Sequence, residues 1–276
     1  MDTNKQQRID SENKEFWDKP CGTILANSLG IDDTSRESLR KYDDSFFSFY
    51  PYLSKHIPYA SMNQKKVLEV GLGFGSVAQR IAESGAYYHG FDIANGPVIQ
   101  AQKRLEQCGL QGEVSQGNFL NCPYDDNTFD FVVSIGCFHH TGNMQRAIDE
   151  AHRVLKPGGT AIIMVYYAYS YRQWITNFSK TARRFINEFF LNKNICCEQS
   201  EKERGHYDRS IDGIAAPEVV FTSRREFKML ARKFSTVQIC GENIENLYVF
   251  KLFGRDIAGK LFGNLMGLDI YCTCVK

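Results

Sequence analysis

The residues with the clearest chemical potential lie at 67–75, where an apolar run leads into a glycine-rich turn. The glycines of this turn alternate with other residues: Gly71, Gly73 and Gly75. Such spacing lets bare backbone approach a ligand at the end of a buried strand. Glu69 precedes the turn and would repel a pyrophosphate, whereas it suits a ligand with a cationic amino group. Because Ser76 stands where a dinucleotide-binding loop carries its third glycine, the pattern disfavours a dinucleotide.

A second acidic residue, Asp92, ends the stretch that begins at Tyr87. It follows the glycines by about twenty residues, a separation at which a carboxylate can hold both hydroxyls of a ribose. Further along the chain, Asn118 and Phe119 supply an amide and an aromatic ring. These two groups suit the edge and the face of an adenine, so the pattern favours a ligand that contains a nucleoside.

These residues need a frame that brings the ends of several strands together. Helical patterns separate the strand before Gly71 from strands predicted at 87–92, 113–115, 129–134 and 160–166. This alternation predicts right-handed βαβ units and a parallel sheet with helices on both faces. Ligands bind such sheets at the carboxyl ends of the strands, where the glycine turn, Asp92 and Asn118 lie. Two last strands, predicted at 235–240 and 268–275, lack a helical crossover and indicate an antiparallel ending.

The glycine turn resembles the first motif of class I S-adenosylmethionine (SAM)-dependent methyltransferases. A second block, from Phe129 to Gly159, resembles the F-D-x-V, H-H-T and E-x-x-R-V-L-K-P-G-G stretch of small-molecule methyltransferases. The segment 16–23 resembles the F-W-x-x-P-C-G-T start of stand-alone members. The resemblance implies an α/β fold with a Rossmann-like seven-stranded methyltransferase sheet. That sheet would be parallel with an antiparallel C-terminal strand, with helices on both faces and a helical lid insertion.

The resemblance also implies how SAM would be bound. The glycine turn and Glu69 would hold the methionine part, and Asp92 would bind the ribose. Ile93, Asn118 and Phe119 would contact the adenine. The backbone from Ser134 to Gly136 would lie against the methionine part, and no metal ion is expected. Asn118 departs from the aspartate that is commoner in the family, which predicts a weaker affinity for SAM.

His139 and His140 follow the fourth strand, at the place where the family has residues that face the substrate. Histidine accepts a proton near neutral pH, so either one could activate a hydroxyl or an amine, or orient the acceptor. The alternative is that one of them caps the next helix or packs under the cofactor. The segment 134–137 lacks the Asn/Asp-Pro-Pro-Tyr/Phe element of enzymes that methylate nucleobase or glutamine amide nitrogens. Methylation of a base is therefore disfavoured.

Four aromatic residues are candidates for contact with the acceptor: Trp17, Tyr166, Tyr171 and Trp174. The last two belong to a helical pattern over 171–189 with an aromatic face. This pattern predicts a lid over an apolar acceptor, a core helix of an insertion, or a helix at a membrane surface. For Tyr166 the alternative is ordinary aromatic packing.

Two units are expected: an N-terminal helical and aromatic cap at 1–60, and a methyltransferase domain at 61–276 with a lid insertion at about 168–220. Residues 1–15 are predicted to be loosely ordered. Capping boxes predict that helices begin near Thr34 and near Ser223. The oligomeric state is expected to be a monomer or a homodimer.

Composition excludes several classes of protein. Of 276 residues, 43% are apolar and 24% are charged, as in soluble globular proteins. The net charge of +1 argues against a broad nucleic-acid surface. No apolar run approaches the roughly 20 residues of a membrane span, and no secretion signal is apparent, so a cytoplasmic location is expected. Nine cysteines without a Cys-x-x-Cys pair predict reduced thiols.

The predicted function is methyl transfer from SAM to a small metabolite or natural-product-like acceptor, at oxygen, nitrogen or carbon. One alternative is a methyltransferase that modifies peptides or proteins, and another is a non-catalytic interaction protein that binds SAM. A nicotinamide-dependent reductase would share the strand, turn and acid. Ser76 and the K-P-G-G turn argue against that class of enzyme.

Overall fold

A computed structural model describes residues 3–19, 22–191, 199–244, 257 and 259–276. Within them one sheet is formed by β1 (Lys66–Val70), β2 (Tyr87–Asp92), β3 (Glu113–Gln116), β4 (Phe129–Ile135), β5 (Leu155–Tyr166), β6 (Thr236–Glu242) and β7 (Asp269–Val275). The strand order is β3-β2-β1-β4-β5-β7-β6. Because the order reverses between β1 and β4, a crevice lies at the carboxyl ends of these two strands.

Adjacent strands from β3 to β5 are parallel, whereas β7 is antiparallel to both β5 and β6. Helices cover both faces, so residues inside the strands, such as Leu68 and Val132, are fully buried. This topology confirms the predicted Rossmann-like sheet and its antiparallel ending. The fifth strand begins earlier than predicted because Leu155 already pairs with Phe129, ahead of an irregularity in the register.

The helices of the described residues are α1 (Thr3–Phe16), α2 (Thr23–Ser28), α3 (Arg36–Phe49), α4 (Leu53–His56), α5 (Ser76–Glu83), α6 (Asn95–Cys108), α7 (Met144–Val154), α8 (Tyr171–Thr176), α9 (Phe178–Phe189), α10 (Glu201–Arg204), α11 (Arg224–Leu230) and α12 (Asn264–Met266). A π-helical turn, Gly259–Gly263, precedes α12. Within the described ranges, no helix has both the length and the apolar character needed to traverse a lipid bilayer.

The first helix corrects the prediction that residues 1–15 are loosely ordered. Ile9 of α1 is only 3% exposed, and it packs so closely on Gly142 that a Cβ there would lie 2.9 Å from its Cδ1. Asn13, one turn further along α1, is also buried. The order of this polar helix comes from contacts with residues far along the chain, which a local pattern of charged residues does not reveal.

Two predicted helix starts have different outcomes. Ser223 and Glu226 form the expected capping box at the start of α11. Near Thr34, the cap is instead the next residue, Ser35, whose hydroxyl accepts a hydrogen bond from the Ser38 amide. Serine and threonine are both good caps, so the choice between neighbours depends on the path of the preceding chain.

The aromatic pattern over 171–189 forms two helices, α8 and α9, separated at Asn177. α9 packs on α11 through an ion pair of 2.6 Å between Arg184 and Glu226. The hydroxyl of Ser223 also donates to Glu188 at 2.5 Å. Both contacts join α9 to the start of α11, the helix that precedes β6.

Candidate active site

A cavity of about 620 Å³ lies at the carboxyl ends of β1, β2, β4 and β5. Its volume falls in the range of about 300–1,000 Å³ that is typical of small-molecule sites. Many of the residues that the sequence analysis selected line its wall. These are Trp17, Glu69, Gly71, Gly73, Asp92, Ile93, Asn118, Phe119, Gly136, His140 and Tyr166.

The other selected residues do not line the cavity. Gly75 has a φ of +81° and begins α5, where a Cβ would meet Arg104 at 3.1 Å. Ser134 and His139 are fully buried. Tyr171 is buried against Ile244 and Leu268, and Trp174 packs on the rings of Tyr169 and Phe185. The lid expected from the aromatic helix pattern is thus not formed by these two side chains.

The glycine turn needs its glycines for two separate physical reasons. Gly71 and Gly73 have φ values of +84° and +51°, a region that residues with side chains rarely adopt. At Gly71 a Cβ would also lie 2.6 Å from the Cβ of Cys137. The backbone after β1 therefore runs directly against the backbone after β4, and both border the cavity.

Glu69 is a buried carboxyl on this wall. It is 3% exposed, and its Oε2 accepts a hydrogen bond of 2.7 Å from the hydroxyl of Tyr88. Burial raises the pKa of Glu69 to about 8, against smaller opposing effects of the Tyr88 bond and of Arg104. A carboxyl held in this way gains most from a ligand that brings its own positive charge.

Asp92 is the second carboxyl on the wall, and backbone amides orient it. Its Oδ2 accepts from the Leu72 amide at 2.8 Å, and its Oδ1 accepts from the Ala94 amide at 2.9 Å. Burial raises its pKa to about 6, against the lowering effect of these amides. Each carboxylate oxygen has a second lone pair, so both can still accept a hydrogen bond from a ligand.

Asn118 uses its side-chain amide within the protein. Its Oδ1 accepts from the Leu120 amide at 2.9 Å, and its Nδ2 donates to Oδ2 of Asp10 at 2.7 Å. Asp10 itself lines the cavity. A carboxylate from α1 therefore lies beside Asn118 at the cavity wall. The sequence analysis missed Asp10.

Helix α1 is attached to the cavity edge along one face. The Gln6 amide donates to the carbonyl of Thr141 at 2.8 Å, and the Asn13 amide donates to the carbonyl of His140 at 2.7 Å. The ring of Trp17 lies 4.9 Å from the ring of His140. These residues and Asp10 recur at helical spacing, a signal that could have identified this face in the sequence.

The two neighbouring histidines, His139 and His140, differ in their hydrogen bonds and in their position relative to the cavity. His139 is fully buried, and among the described residues neither of its ring nitrogens has a hydrogen-bond partner. Burial lowers its pKa well below the ordinary value. His140 borders the cavity, and its Nδ1 lies 2.6 Å from the carbonyl oxygen of Glu218. Because a carbonyl only accepts, Nδ1 carries a proton, which leaves Nε2 as the basic nitrogen of the neutral ring.

Asp208 joins His140 from the segment after α10, and the sequence offered no signal for it. Its Oδ2 lies 3.6 Å from Nε2 of His140, and its Oδ1 accepts from the hydroxyl of Tyr166 at 3.0 Å. Burial raises the pKa of Asp208, and His140 and Tyr166 oppose this shift. His139, His140 and Asp208 also form a set of potential metal ligands, whose nitrogen and oxygen atoms lie within 4.8 Å of one another.

The sequence of this region is similar to that of known enzymes. Residues 68–163 match a family model described as a methyltransferase domain. Sterol 24-C-methyltransferase of Gibberella zeae is 35% identical over 120 residues, which are 41% of this chain and 32% of that protein. Norajmaline N-methyltransferase of Rauvolfia serpentina is 34% identical over 109 residues, 38% of this chain and 37% of that protein. The chain thus spans about a third of the length of these relatives.

The fold is similar to a solved structure over most of the chain. A SAM-dependent methyltransferase from Methanosarcina mazei superposes with a TM-score of 0.52 and 16% sequence identity, covering 82% of this chain and 97% of that one. At this identity the likeness concerns the fold alone. The sheet therefore has the Rossmann-like methyltransferase fold, and residues 68–163 within it are similar to methyltransferase domains.

Proposed function

We propose that the protein is a SAM-dependent methyltransferase that acts on a small molecule. The observation that carries this proposal is the placement of two buried carboxyls, Glu69 and Asp92, on the wall of the cavity that the glycine turn borders. One carboxyl suits the ammonium of an amino acid, and the other suits the hydroxyls of a ribose. SAM contains both groups.

The residues present fit SAM. Glu69 would pair with its ammonium group, and Asp92 would accept hydrogen bonds from its ribose. Ile93 and Phe119 border the cavity near Asp92 and would pack on the adenine. The backbone of Gly71, Gly73 and Gly136 would lie against the methionine part. When bound, SAM supplies an electrophilic methyl group on a sulfonium.

The chain contributes alignment, exclusion of water and a base. Holding two reactants in line is the largest part of such catalysis, and α1, attached at the cavity edge, would limit the access of water. His140 would accept a proton from the acceptor at Nε2, since its Nδ1 proton is held by the Glu218 carbonyl. The imidazolium so formed would face the carboxylate of Asp208.

The cap proposed for residues 1–60 has support in the cavity wall, to which Asp10, Trp17, Phe46 and Leu53 contribute. An enzyme for peptides or proteins would use the same donor site with an open groove for a chain. Here α1 and the Tyr207–Asp208 segment border the acceptor end of the cavity, which favours a small acceptor. A non-catalytic protein would bind SAM without releasing its methyl group.

Calorimetry with SAM and with S-adenosylhomocysteine tests the donor site. We expect both to bind, and Asp92→Ala to weaken binding by about 1–3 kcal/mol, the loss of hydrogen bonds to a charged group. Methyl transfer to a metabolite extract in a single turnover then separates an enzyme from a binding protein. Unchanged affinity of the variant would refute the role of Asp92, and absence of binding would refute the proposed function.

Asp10 gives a second test of the donor site. We expect Asp10→Ala to weaken binding of S-adenosylhomocysteine about tenfold or more, because the adenine amino group would lose a charged acceptor. S-Inosylhomocysteine lacks that amino group, so its binding should change less than about twofold. Calorimetry on both ligands measures the difference. Equal losses for the two ligands would mean that Asp10 only supports α1.

A further inference from the structure

We propose that the acceptor is an amine with an apolar body, whose ammonium group binds between His140 and Asp208. The inference rests on the proposed methyl transfer and adds the chemical class of its substrate. Two hydrogen-bond acceptors of residues that line the cavity lie close together. One is Nε2 of His140, and the other is Oδ2 of Asp208, at a distance of 3.6 Å.

The protonation of His140 is constrained from its other side. The short contact of 2.6 Å from Nδ1 to the Glu218 carbonyl requires a proton on Nδ1. In the neutral ring, Nε2 therefore presents a lone pair toward a carboxylate oxygen. Two acceptors without a proton between them repel each other, so the pair favours a donor that reaches both.

The distance between the two atoms argues against a closed ion pair. Charge-assisted hydrogen bonds between a cationic nitrogen and a carboxylate have lengths of about 2.7–2.9 Å, and 3.6 Å is longer. Oδ2 of Asp208 is buried and has no hydrogen-bond partner within the part of the chain that the structure describes. A buried carboxylate oxygen without a partner is costly, and a ligand that donates to it would remove this cost.

An ammonium group satisfies this pair better than a hydroxyl group does. The ammonium group of a primary or secondary amine carries at least two N–H donors, one for Nε2 and one for Oδ2, whereas a hydroxyl has one. Aromatic rings border the same end of the cavity, namely those of Trp17, Tyr166 and Tyr207, and such rings attract cations. Arg172 lies over Tyr207, 4.6 Å from the ring centroid, and it lowers the pKa of Asp208 less than His140 and Tyr166 do.

The remaining wall defines the body of the acceptor. On the side of α3 and α4 it is formed by apolar and aromatic side chains: Phe46, Phe49, Tyr50, Leu53, Met164 and Tyr271. Such a wall binds hydrocarbon or aromatic groups through the hydrophobic effect. The acceptor is thus an amine that carries an apolar group.

In the chemical step, His140 would accept the proton and Asp208 would stabilise the positive charge. One ammonium proton passes to Nε2 of His140, which leaves a neutral amine with a lone pair. That lone pair forms a bond to the methyl carbon of the donor, while the carbon–sulfur bond breaks and its electron pair stays on sulfur. The positive charge passes from sulfur to the methylated nitrogen, which the carboxylate of Asp208 stabilises.

Three probes with the same phenyl group and different head groups test the inference: phenethylamine, 2-phenylethanol and 3-phenylpropionate. Their binding to the protein loaded with S-adenosylhomocysteine is measured by calorimetry. We expect the amine to bind at least about tenfold tighter than the alcohol. Asp208→Asn should reduce this preference to less than about threefold, and Asp208→Glu should restore part of it.

Affinity for S-adenosylhomocysteine in each variant shows whether the variant is folded and whether the donor site is intact. If S-adenosylhomocysteine does not bind to the wild type, the proposed function itself is refuted. If it binds, the acceptor inference is overturned by any of three results: equal or tighter binding of the alcohol, no binding of any probe, or an unchanged preference in Asp208→Asn. Metal analysis that finds a stoichiometric divalent ion lost in Asp208→Asn would also overturn it.

Discussion

Glu69→Gln is expected to weaken the binding of S-adenosylhomocysteine at pH 7 by roughly 100-fold or more. Removing one partner of a buried ion pair costs about 3–5 kcal/mol, and Glu69 is the buried carboxyl proposed for the ligand's ammonium. The amide oxygen of glutamine can still accept from the Tyr88 hydroxyl, so the pocket keeps its shape. Calorimetry on the two proteins measures the loss. An affinity within about threefold of the wild type would refute this pairing.

The same substitution should stabilise the protein without ligand. The pKa of Glu69 rises from 4.5 to about 8 in the folded state. Below pH 4.5 the carboxyl is neutral in both states and carries no penalty. As the pH rises from 4.5 toward 8, Glu69 ionises in the unfolded chain but stays protonated in the folded protein. The free energy of unfolding therefore falls over this pH window.

Urea unfolding at pH 5 and pH 8 tests whether the substitution stabilises the ligand-free protein while it weakens ligand binding. We expect Glu69→Gln to exceed the wild type in free energy of unfolding by about 3–5 kcal/mol at pH 8, and by far less at pH 5. A variant less stable than the wild type at pH 8 would show that burial of the Glu69 carboxylate does not destabilise the ligand-free protein.

Proton release provides a check of the mechanism behind both effects. With a pKa of about 8, Glu69 is largely protonated at pH 7, and pairing with an ammonium expels that proton. Binding enthalpies in buffers of different ionisation enthalpy should show release of about one proton per ligand in the wild type and almost none in Glu69→Gln. Asp92, with a pKa of about 6, is mostly ionised at pH 7 and contributes little.

His140→Asn is the second change with a large expected effect. It should lower the rate of a single turnover by about 10²–10⁴-fold, the usual contribution of a positioned base. The asparagine amide can still donate to the Glu218 carbonyl, while no group replaces the basic Nε2. Affinity for S-adenosylhomocysteine should stay within about threefold. The rate is measured by methyl transfer to an acceptor found in the extract screen.

His139→Asn is the matched control. His139 is fully buried and does not border the cavity, so its loss should reduce stability more than the rate of the folded protein. Equal reductions in rate for the two variants, at equal donor affinity, would contradict a base at His140. A rate lowered only in His139→Asn would reverse the assignment.

Local patterns in the chain suffice to predict the proposed donor side of this site. The glycine turn and Asp92 could be identified because positive φ values and close backbone contacts restrict a position to glycine, and because strand periodicity places Asp92 at a strand end. The order of strands and helices likewise predicts the parallel sheet, since short crossovers admit few topologies. Each of these inferences depends on residues that are close along the chain.

The proposed acceptor side depends on contacts between distant parts of the chain. Asp10 reaches Asn118 only because α1 packs along the cavity edge, and Asp208 reaches His140 only because the segment after α10 returns to the strand ends. Tyr171 and Trp174 have the right chemistry but are turned into other packing. Local propensity cannot rank such pairings, because their free energy comes from burial and hydrogen bonds formed across the folded molecule.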